Sequence, residues 1–323
     1  MGERFARREA LALGIGALVV AAVPFAVSRR RRIVRRRIPV MGTVAEVAVV
    51  AADEAPAQAA IDAAFAELRR IEALMTAHDD ASDVGRANLA ADGVSVSPET
   101  ALVVEEALRW SEATDGAFDP CIGGAVRLWD VQHRSEPPAD ALVGRFASRG
   151  LWRKLDVASF RGLPALRLHD DDARLDLGGI AKGWAVDRAA QALRDRGFRD
   201  GLVNVGGDLV AMGESASGGP WRVGVQSPDD PDVCVATIDA SDTAIATSGD
   251  YVRFFQWHGR RYHHLIDPGT GAPRLTPVHS LTIEAPTCFA ADAAATAVYG
   301  APSDVAARVL GVRAPGARVV HSI

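Results

Sequence analysis

Residues 175–213 read LDLGGIAKGWAVDRAAQALRDRGFRDGLVNVGGDLVAMG, and the reading of this stretch decides the fold. Its spacing predicts a short apolar strand ending at Asp176, a tight turn at Gly178-Gly179, and a helix from about Ala181–Lys182 to a stop at Gly197. A second apolar strand follows, with a further glycine turn at Gly206, Gly207 and Asp208. Glycine turns at strand ends let backbone amides and carbonyls approach one another without Cβ obstruction. A turn that opens a helix also presents free N–H groups and a dipole that favour a phosphate. Lys182 adds a positive charge beside such a site. The chain has two lysines, Lys154 and Lys182, against 34 arginines, so a lysine here is not background composition. Taken alone, the stretch fits a βαβ turn with packing glycines equally well.

Outward from this block, Thr43–Val50 alternates weakly and reads as a strand. Residues 57–75 place Ile61, Phe65, Leu68, Ile71, Leu74 and Met75 at helical spacing behind Pro56. Ser97-Pro98-Glu99 opens a second helix that reaches about Thr114 and ends in the turn Thr114-Asp115-Gly116. Strands are expected at 165–169, 173–177, 201–211, 221–226, 233–239, 261–266 and 279–285, and helices at Ala290–Tyr299 and Ser303–Leu310. Strands and helices that do not strictly alternate predict an α+β body with mixed sheets.

With 323 residues, 48% hydrophobic, the chain can bury a sizeable core in one large domain or two intimate lobes. Its formal charge of −5 is split: residues 1–40 carry ten arginines and two glutamates, leaving about −13 on residues 41–323. An acidic body without a basic, aromatic-laced stripe argues against nucleic acid. Cys121, Cys234 and Cys288 are odd in number and far apart, which suggests neither a disulfide framework nor a zinc site. Residues 10–27 form an 18-residue apolar run between Arg4, Arg7, Arg8 and the seven arginines from Arg29 to Arg37. Its length stands between a signal h-region and a membrane span, so an exported or membrane-anchored protein is expected, with residues 1–40 as signal or anchor and 41–323 as the body. The arginines beyond the run would hold that flank in the cytoplasm, so the side of the membrane stays open.

Four further groups of residues carry candidate chemistry. Asp292 and Thr296 stand four apart on a predicted helix, stacking a carboxylate over a hydroxyl with alanines between. Both are hard oxygen ligands of the kind Mg²⁺ accepts, and a turn carbonyl such as that of Gly179 would supply a third. In residues 245–273, IATSGDYVRFFQWHGRRYHHLIDPGTGAP, one of the adjacent His263 and His264 should face inward on a strand and the other outward. A histidine near phosphate and metal would be a proton acceptor, its ordinary pKa lying near working pH. TDGAFDPC (114–121) reads either as a loop with one buried aromatic, Phe118, or as a loop along a planar ligand. Met41-Gly42-Thr43 reads as the entry to the first strand.

Taken in order, MGT (41–43), MTAHDDASDVGRAN (75–88), TDGAFDP (114–120), LDLGGIAKGWAVDRAA (175–190), LVNVGGDL (202–209), ATSGDYVRFF (246–255), HHLIDPGTG (263–271) and ADAAATA (291–297) resemble the ApbE family of FAD:protein FMN transferases. The resemblance implies a two-lobed α+β body of mixed, largely antiparallel sheets flanked by helices, with the active site between the lobes. It implies Mg²⁺-dependent cleavage of FAD at its pyrophosphate, transfer of FMN to a Ser or Thr hydroxyl of an acceptor flavoprotein, and release of AMP. Carried over position by position, Asp292, Thr296 and the Gly179 carbonyl look like metal ligands. Met41, Ala117, Phe118, Asp119, Asp176, Lys182 and Leu265 look like FAD contacts. His264 looks like the catalytic base, with Asp250 as its partner. His78 stands where the family commonly has tyrosine, which puts flavin affinity rather than reaction type in question. No copy of the family's acceptor pattern, Asp-Gly-x-Ser/Thr-x-Ala-Thr, occurs in this chain, so self-flavinylation is not expected. Two other outcomes use the same site: an Mg²⁺-dependent FAD pyrophosphatase with water as acceptor, and a flavin-binding protein without turnover.

Overall fold

A computed structural model describes residues 31–323, together with the backbone of Leu18–Val20, which pairs antiparallel with Val223–Val225. The expected signal or anchor otherwise lies outside the described residues. No described helix is long and apolar enough to cross a membrane.

The scaffold is a seven-stranded sheet made of β1 (Arg32–Val40), β2 (Thr43–Ala51), β3 (Gly201–Val205), β4 (Asp208–Met212), β5 (Thr243–Gly249), β6 (Ser280–Ala285) and β7 (Arg318–Ser322). They lie side by side in chain order, each antiparallel to the next. The sheet is therefore an interrupted meander, and everything else is inserted between its strands. Between β2 and β3 come the helices α1 (Glu54–Met75), α2 (Asp83–Leu89), α3 (Pro98–Ala113), α4 (Gly123–Trp129) and α5 (Ala181–Arg194). The same insertion holds a three-stranded sheet of Val94–Ser95, Leu163–Leu168 and Leu155–Phe160. Between β6 and β7 come α6 (Cys288–Ala297) and α7 (Ser303–Arg313). The α+β class expected from the sequence is what the chain adopts.

Both faces of the large sheet are covered. Ala45, Val47 and Val49 of β2 point into the main core with the helices, whereas Ala48 joins Leu202, Leu209, Ala211 and Ile245 under Trp221, Val223 and Val225. This is why Thr43–Val50 alternates only weakly: side chains leave a strand on opposite faces, and here both faces are apolar. On α1, Ala57, Ala60, Ile61, Ala64, Phe65, Leu68, Ile71 and Met75 form a buried stripe at helical period. Burying one such leucine or phenylalanine stabilises the fold by about 2 kcal/mol.

α5 and α6 approach closely because Gly183 has no side chain: a Cβ there would lie 2.2 Å from the Cys288 carbonyl oxygen. The start of α6 is fixed by Asp187, whose two carboxylate oxygens accept the N–H groups of Cys288 and Phe289 at 2.9 Å each. Three free amides at a helix start are thus satisfied, the Thr287 hydroxyl taking that of Ala290 at 3.2 Å.

Three expectations need correction. Residues 173–177 form no strand. Arg174 makes a single parallel bridge with Ile122, and the N–H of Asp176 goes to the Pro120 carbonyl at 2.8 Å, so these apolar residues serve a buried loop. The run 201–211 is not one strand but the hairpin β3–β4, turning at Gly206 and Gly207 with φ of 61° and 102°. The βαβ reading therefore fails, since the sheet has no parallel pair. Finally, β1 belongs to the body, pairing with β2 over nine positions, so a body beginning at residue 41 would cut a hairpin in two. Its arginines are matched by carboxylates: Arg32 with Glu54 at 3.2 Å, Arg36 with Asp62, and Arg37 with Glu46.

Candidate active site

Three elements meet at one end of the large sheet. The first turn of α5 delivers Lys182, the β3–β4 turn delivers Asp208, and α6 delivers Asp292 and Thr296. Lys182 Nζ makes an ion pair with Asp208 Oδ2 and lies 3.5 Å from Asp292 Oδ1. The other Asp292 oxygen accepts the N–H of Gly183 at 2.8 Å. Asp208 is 1% exposed and Asp292 3%, so two carboxylates share one ammonium out of water. Burial alone would lower the Lys182 pKa, but the carboxylates of Asp208 and Asp292 outweigh it and hold it well above the ordinary lysine value. Burial, and then the Asp292 charge, push Asp208 up to about 7. One ammonium between two buried carboxylates leaves the cluster one positive charge short, so it would favour a further cation.

Gly179 lies against Thr296 and Phe118. A Cβ on it would stand 3.4 Å from Thr296 Oγ1 and 3.3 Å from the Phe118 ring, and Thr296 Oγ1 is 3.4 Å from Ser248 Oγ. Among the described residues no three His, Cys, Asp or Glu side chains form a metal cage. The expected donors are of another kind, one carboxylate, one hydroxyl and one backbone carbonyl. Hard oxygens beside uncompensated negative charge fit Mg²⁺.

A second group closes the site from the side of β1–β2. A Cβ on Gly206 would stand 2.8 Å from the Thr43 side chain, which puts the β3–β4 turn beside the Met41-Gly42 turn. Met41 there has φ of 54°, and its N–H is held by Glu72 Oε1 at 2.6 Å. Arg253 Nη2 donates to the Gly42 carbonyl at 2.9 Å, and the Arg253 carbonyl accepts the N–H of His264 at 3.2 Å. His264 is half-buried, and its enclosed Nδ1 has no hydrogen-bond partner among the described residues. Burial, then the positive charges of Arg253 and His263, push its pKa down to about 3. Asp176 turns back on its own loop, accepting the N–H of Gly178 at 2.8 Å, with its charge felt by Arg253.

Other expected residues stand apart from the cluster. Asp250 does not partner His264. Its two oxygens bind Arg261 Nη1 at 2.7 Å and His279 Nδ1 at 2.8 Å. Strand register decides this: Asp250 leaves β5 facing His279, one position beyond the Gly249–Ser280 pair. Asp119 is buried against backbone amides, among them those of Cys121 at 2.8 Å and Trp152 at 3.2 Å, and burial pushes its pKa up to about 6. Ala117 gives its carbonyl to Arg274, and Leu265 packs on the main core with its carbonyl on the Arg274 N–H at 2.9 Å. His78 is exposed, with its N–H on Thr76 Oγ1 at 3.2 Å. Sequence reasoning missed Asp208 and Arg253 as site residues. Both sat inside motifs already marked, LVNVGGDL and ATSGDYVRFF, but neither has a partner close in sequence.

These features define a class, an α+β protein with a buried charge cluster at the mouth of a glycine-turned sheet end. A sequence profile of the ApbE family matches residues 41–320, and the chain belongs to that family. The FAD:protein FMN transferase of Klebsiella pneumoniae (strain 342) is 36% identical over 259 residues, covering 78% of this chain and 74% of the relative. Among solved structures, the ApbE protein of Thermotoga maritima superposes with a TM-score of 0.79 at 28% identity, covering 90% of this chain and 94% of its own. The flavin transferase ApbE from Vibrio cholerae superposes with a TM-score of 0.76 at 29% identity, covering 90% and 93%. The resemblance drawn from eight motifs and the fold it implied are both upheld.

Proposed function

We propose that this chain is an Mg²⁺-dependent FAD:protein FMN transferase that attaches FMN to a Ser or Thr hydroxyl of an acceptor flavoprotein and releases AMP. The observation that carries the proposal is the Lys182–Asp208–Asp292 cluster, short of one positive charge, at the start of a helix in a chain of this family. Asp292, Thr296 and the Gly179 carbonyl would hold the ion. When bound, it supplies positive charge that neutralises the departing phosphate.

The chain's own residues do the rest. Amides of the glycine turns and the Lys182 charge orient the diphosphate, which phosphoryl transfer needs more than covalent help. The acceptor oxygen forms a bond to the FMN phosphorus. The bond from that phosphorus to the bridging oxygen breaks, and AMP leaves with the electron pair. His264 takes the hydroxyl proton. Burial and the neighbouring cations hold its imidazole neutral and weakly basic, and a bound diphosphate would raise its basicity by offsetting those cations.

Incubation with FAD, Mg²⁺ and a candidate acceptor, followed by in-gel flavin fluorescence under denaturing conditions and quantitation of AMP, tests this. Labelled acceptor with stoichiometric AMP supports it. Free FMN without labelled protein supports the pyrophosphatase, and FAD recovered intact supports a binding protein. The apolar run 10–27 adds an exported or membrane-anchored location to the proposal, to be checked by protease accessibility in spheroplasts.

A further inference from the structure

Arg253 is a half-buried arginine whose guanidinium makes few bonds. It follows the Thr247-Ser248-Gly249 end of β5 and begins a two-stranded ribbon, Phe254–Trp257 paired with Arg260–His263. Phe254 faces His263 in that ribbon, so Arg253 and His264 form its base and are joined by the 3.2 Å hydrogen bond from His264 to the Arg253 carbonyl. The guanidinium is half-buried, pressed against the Met41-Gly42 turn, where a Cβ on Gly42 would lie 3.0 Å from Nη2. Among the described residues its hydrogen bonding amounts to one bond, from Nη2 to the Gly42 carbonyl at 2.9 Å.

A guanidinium has five N–H donors, and a part-buried one ordinarily finds a carboxylate. Two other half-buried arginines of this chain do so, Arg261 binding Asp250 at 2.7 Å and Arg313 binding Glu106, while Arg274 spends its fork on the backbone carbonyls of Tyr299, at 2.8 Å, and Ala117. Arg253 has no carboxylate within ion-pair distance among the described residues. Asp176 is felt only through its field, too weakly to reverse the downward pull of burial on the Arg253 pKa. Arg253 lies on the Met41-Gly42 turn, and the β3–β4 turn that carries Asp208, the partner of Lys182, stands against Thr43 beside it, so Arg253 and the Lys182 cluster flank neighbouring turns. A fork of unused donors in such a place is suited to planar, two-point recognition of a phosphate.

We infer that Arg253 is a further substrate-binding residue, its free guanidinium edge holding non-bridging oxygens of the flavin-side phosphate of FAD opposite the Lys182 cluster. This deepens the proposed function and rests on FAD being the nucleotide bound. As the acceptor oxygen bonds to that phosphorus and the bridging bond breaks, charge on the non-bridging oxygens is matched by a fixed fork that needs no rearrangement. The base of the ribbon then carries both the phosphate holder and the proton acceptor, one residue from each strand.

The test separates phosphate recognition from a merely structural role. Arg253→Ala and Arg253→Lys are compared with wild type for binding of FAD, FMN and riboflavin by flavin fluorescence, with thermal unfolding as a check on the fold. Arg253→Ala is expected to weaken FAD and FMN binding by about tenfold or more and to leave riboflavin, which has no phosphate, unchanged. Arg253→Lys, which keeps the charge and can keep the Gly42 bond, should recover part of the FMN affinity but remain about 100-fold slower in transfer, having lost the fork. Unchanged FMN binding in Arg253→Ala, or equal losses for FMN and riboflavin, overturns the inference. If Arg253→Ala does not fold, Arg253→Lys decides: transfer at the wild-type rate overturns it. Loss of FMN selectivity in a protein that labels no acceptor would leave Arg253 a phosphate holder and sink the transferase reading instead.

Discussion

Two buried carboxylate clusters lie at the same end of this molecule and are balanced differently. Asp250 alone has two basic partners, Arg261 and His279, at 2.7 and 2.8 Å. Asp208 and Asp292 together share Lys182. The first is complete within the chain and ties the Phe254–His263 ribbon to the start of β6, which is what a structural ion pair does. The second is short of positive charge and would gain from a bound cation, as a binding site does. Arg253 is the converse, a half-buried cation with no carboxylate at ion-pair distance among the described residues. Incomplete neutralisation, rather than the presence of charge, separates site from scaffold here.

The largest effect that would break this comparison comes from Asp292. Asp292→Ala removes the carboxylate expected to hold the metal, and AMP formation should fall by at least about 10³-fold, while FAD binding remains measurable. Retained turnover would take α6 out of the chemistry. Lys182→Met leaves Asp208 and Asp292 facing each other without a cation. Thermal and denaturant unfolding should show a loss of roughly 3–5 kcal/mol, the penalty for breaking a buried pair. Added Mg²⁺ should restore part of this loss, whereas an unchanged midpoint would mean that the carboxylates are compensated elsewhere.

Asp119 gives a smaller, pH-dependent effect. Its pKa is raised from 3.8 in the free side chain to about 6 in the fold, so folding takes up a proton between those values. This carboxyl therefore favours folding at low pH, and its contribution falls as pH rises through about 6. The swing is about 2–3 kcal/mol at 1.4 kcal/mol per unit. Wild type should gain stability relative to Asp119→Asn on acidification from pH 7 to 5; a constant difference would contradict the assignment. The smallest effect is expected at the completed cluster. Asp250→Asn leaves Arg261 and His279 partly solvated, at 26% and 49% exposure, and should cost about 1–2 kcal/mol. Transfer should slow less than tenfold, because Asp250 does not touch His264. A loss as large as that of Asp292→Ala would restore Asp250 to the catalytic group.

What could be read from the sequence follows the range of the interactions. The helix 181–194 and its glycine stop, the amphipathic α1 and the Asp292–Thr296 pair were legible because each is set within a few residues. Lys182 and Asp208 are 26 residues apart, and only the hairpin at Gly206-Gly207 folds one back onto the other. RIVRRRIPV looked like a basic membrane flank because its arginines leave both faces of the strand, Arg32 and Arg36 toward acids of α1 and Arg37 toward Glu46 of β2. Residues 173–177 carried the pattern of a strand, but their hydrogen bonds go to a loop. The Asp250–His264 pairing failed for a similar reason, since register rather than proximity in sequence chose the partner.

The central claim is that the Asp208–Asp292 pair, served by one lysine, accommodates a divalent cation where a flavin nucleotide's diphosphate docks. Titrating Mg²⁺ into metal-stripped protein loaded with FAD, by calorimetry, tests it most directly on wild type and Asp292→Asn. One saturable site in wild type, absent in the variant, is the predicted result; a variant that takes up Mg²⁺ as wild type does would contradict it.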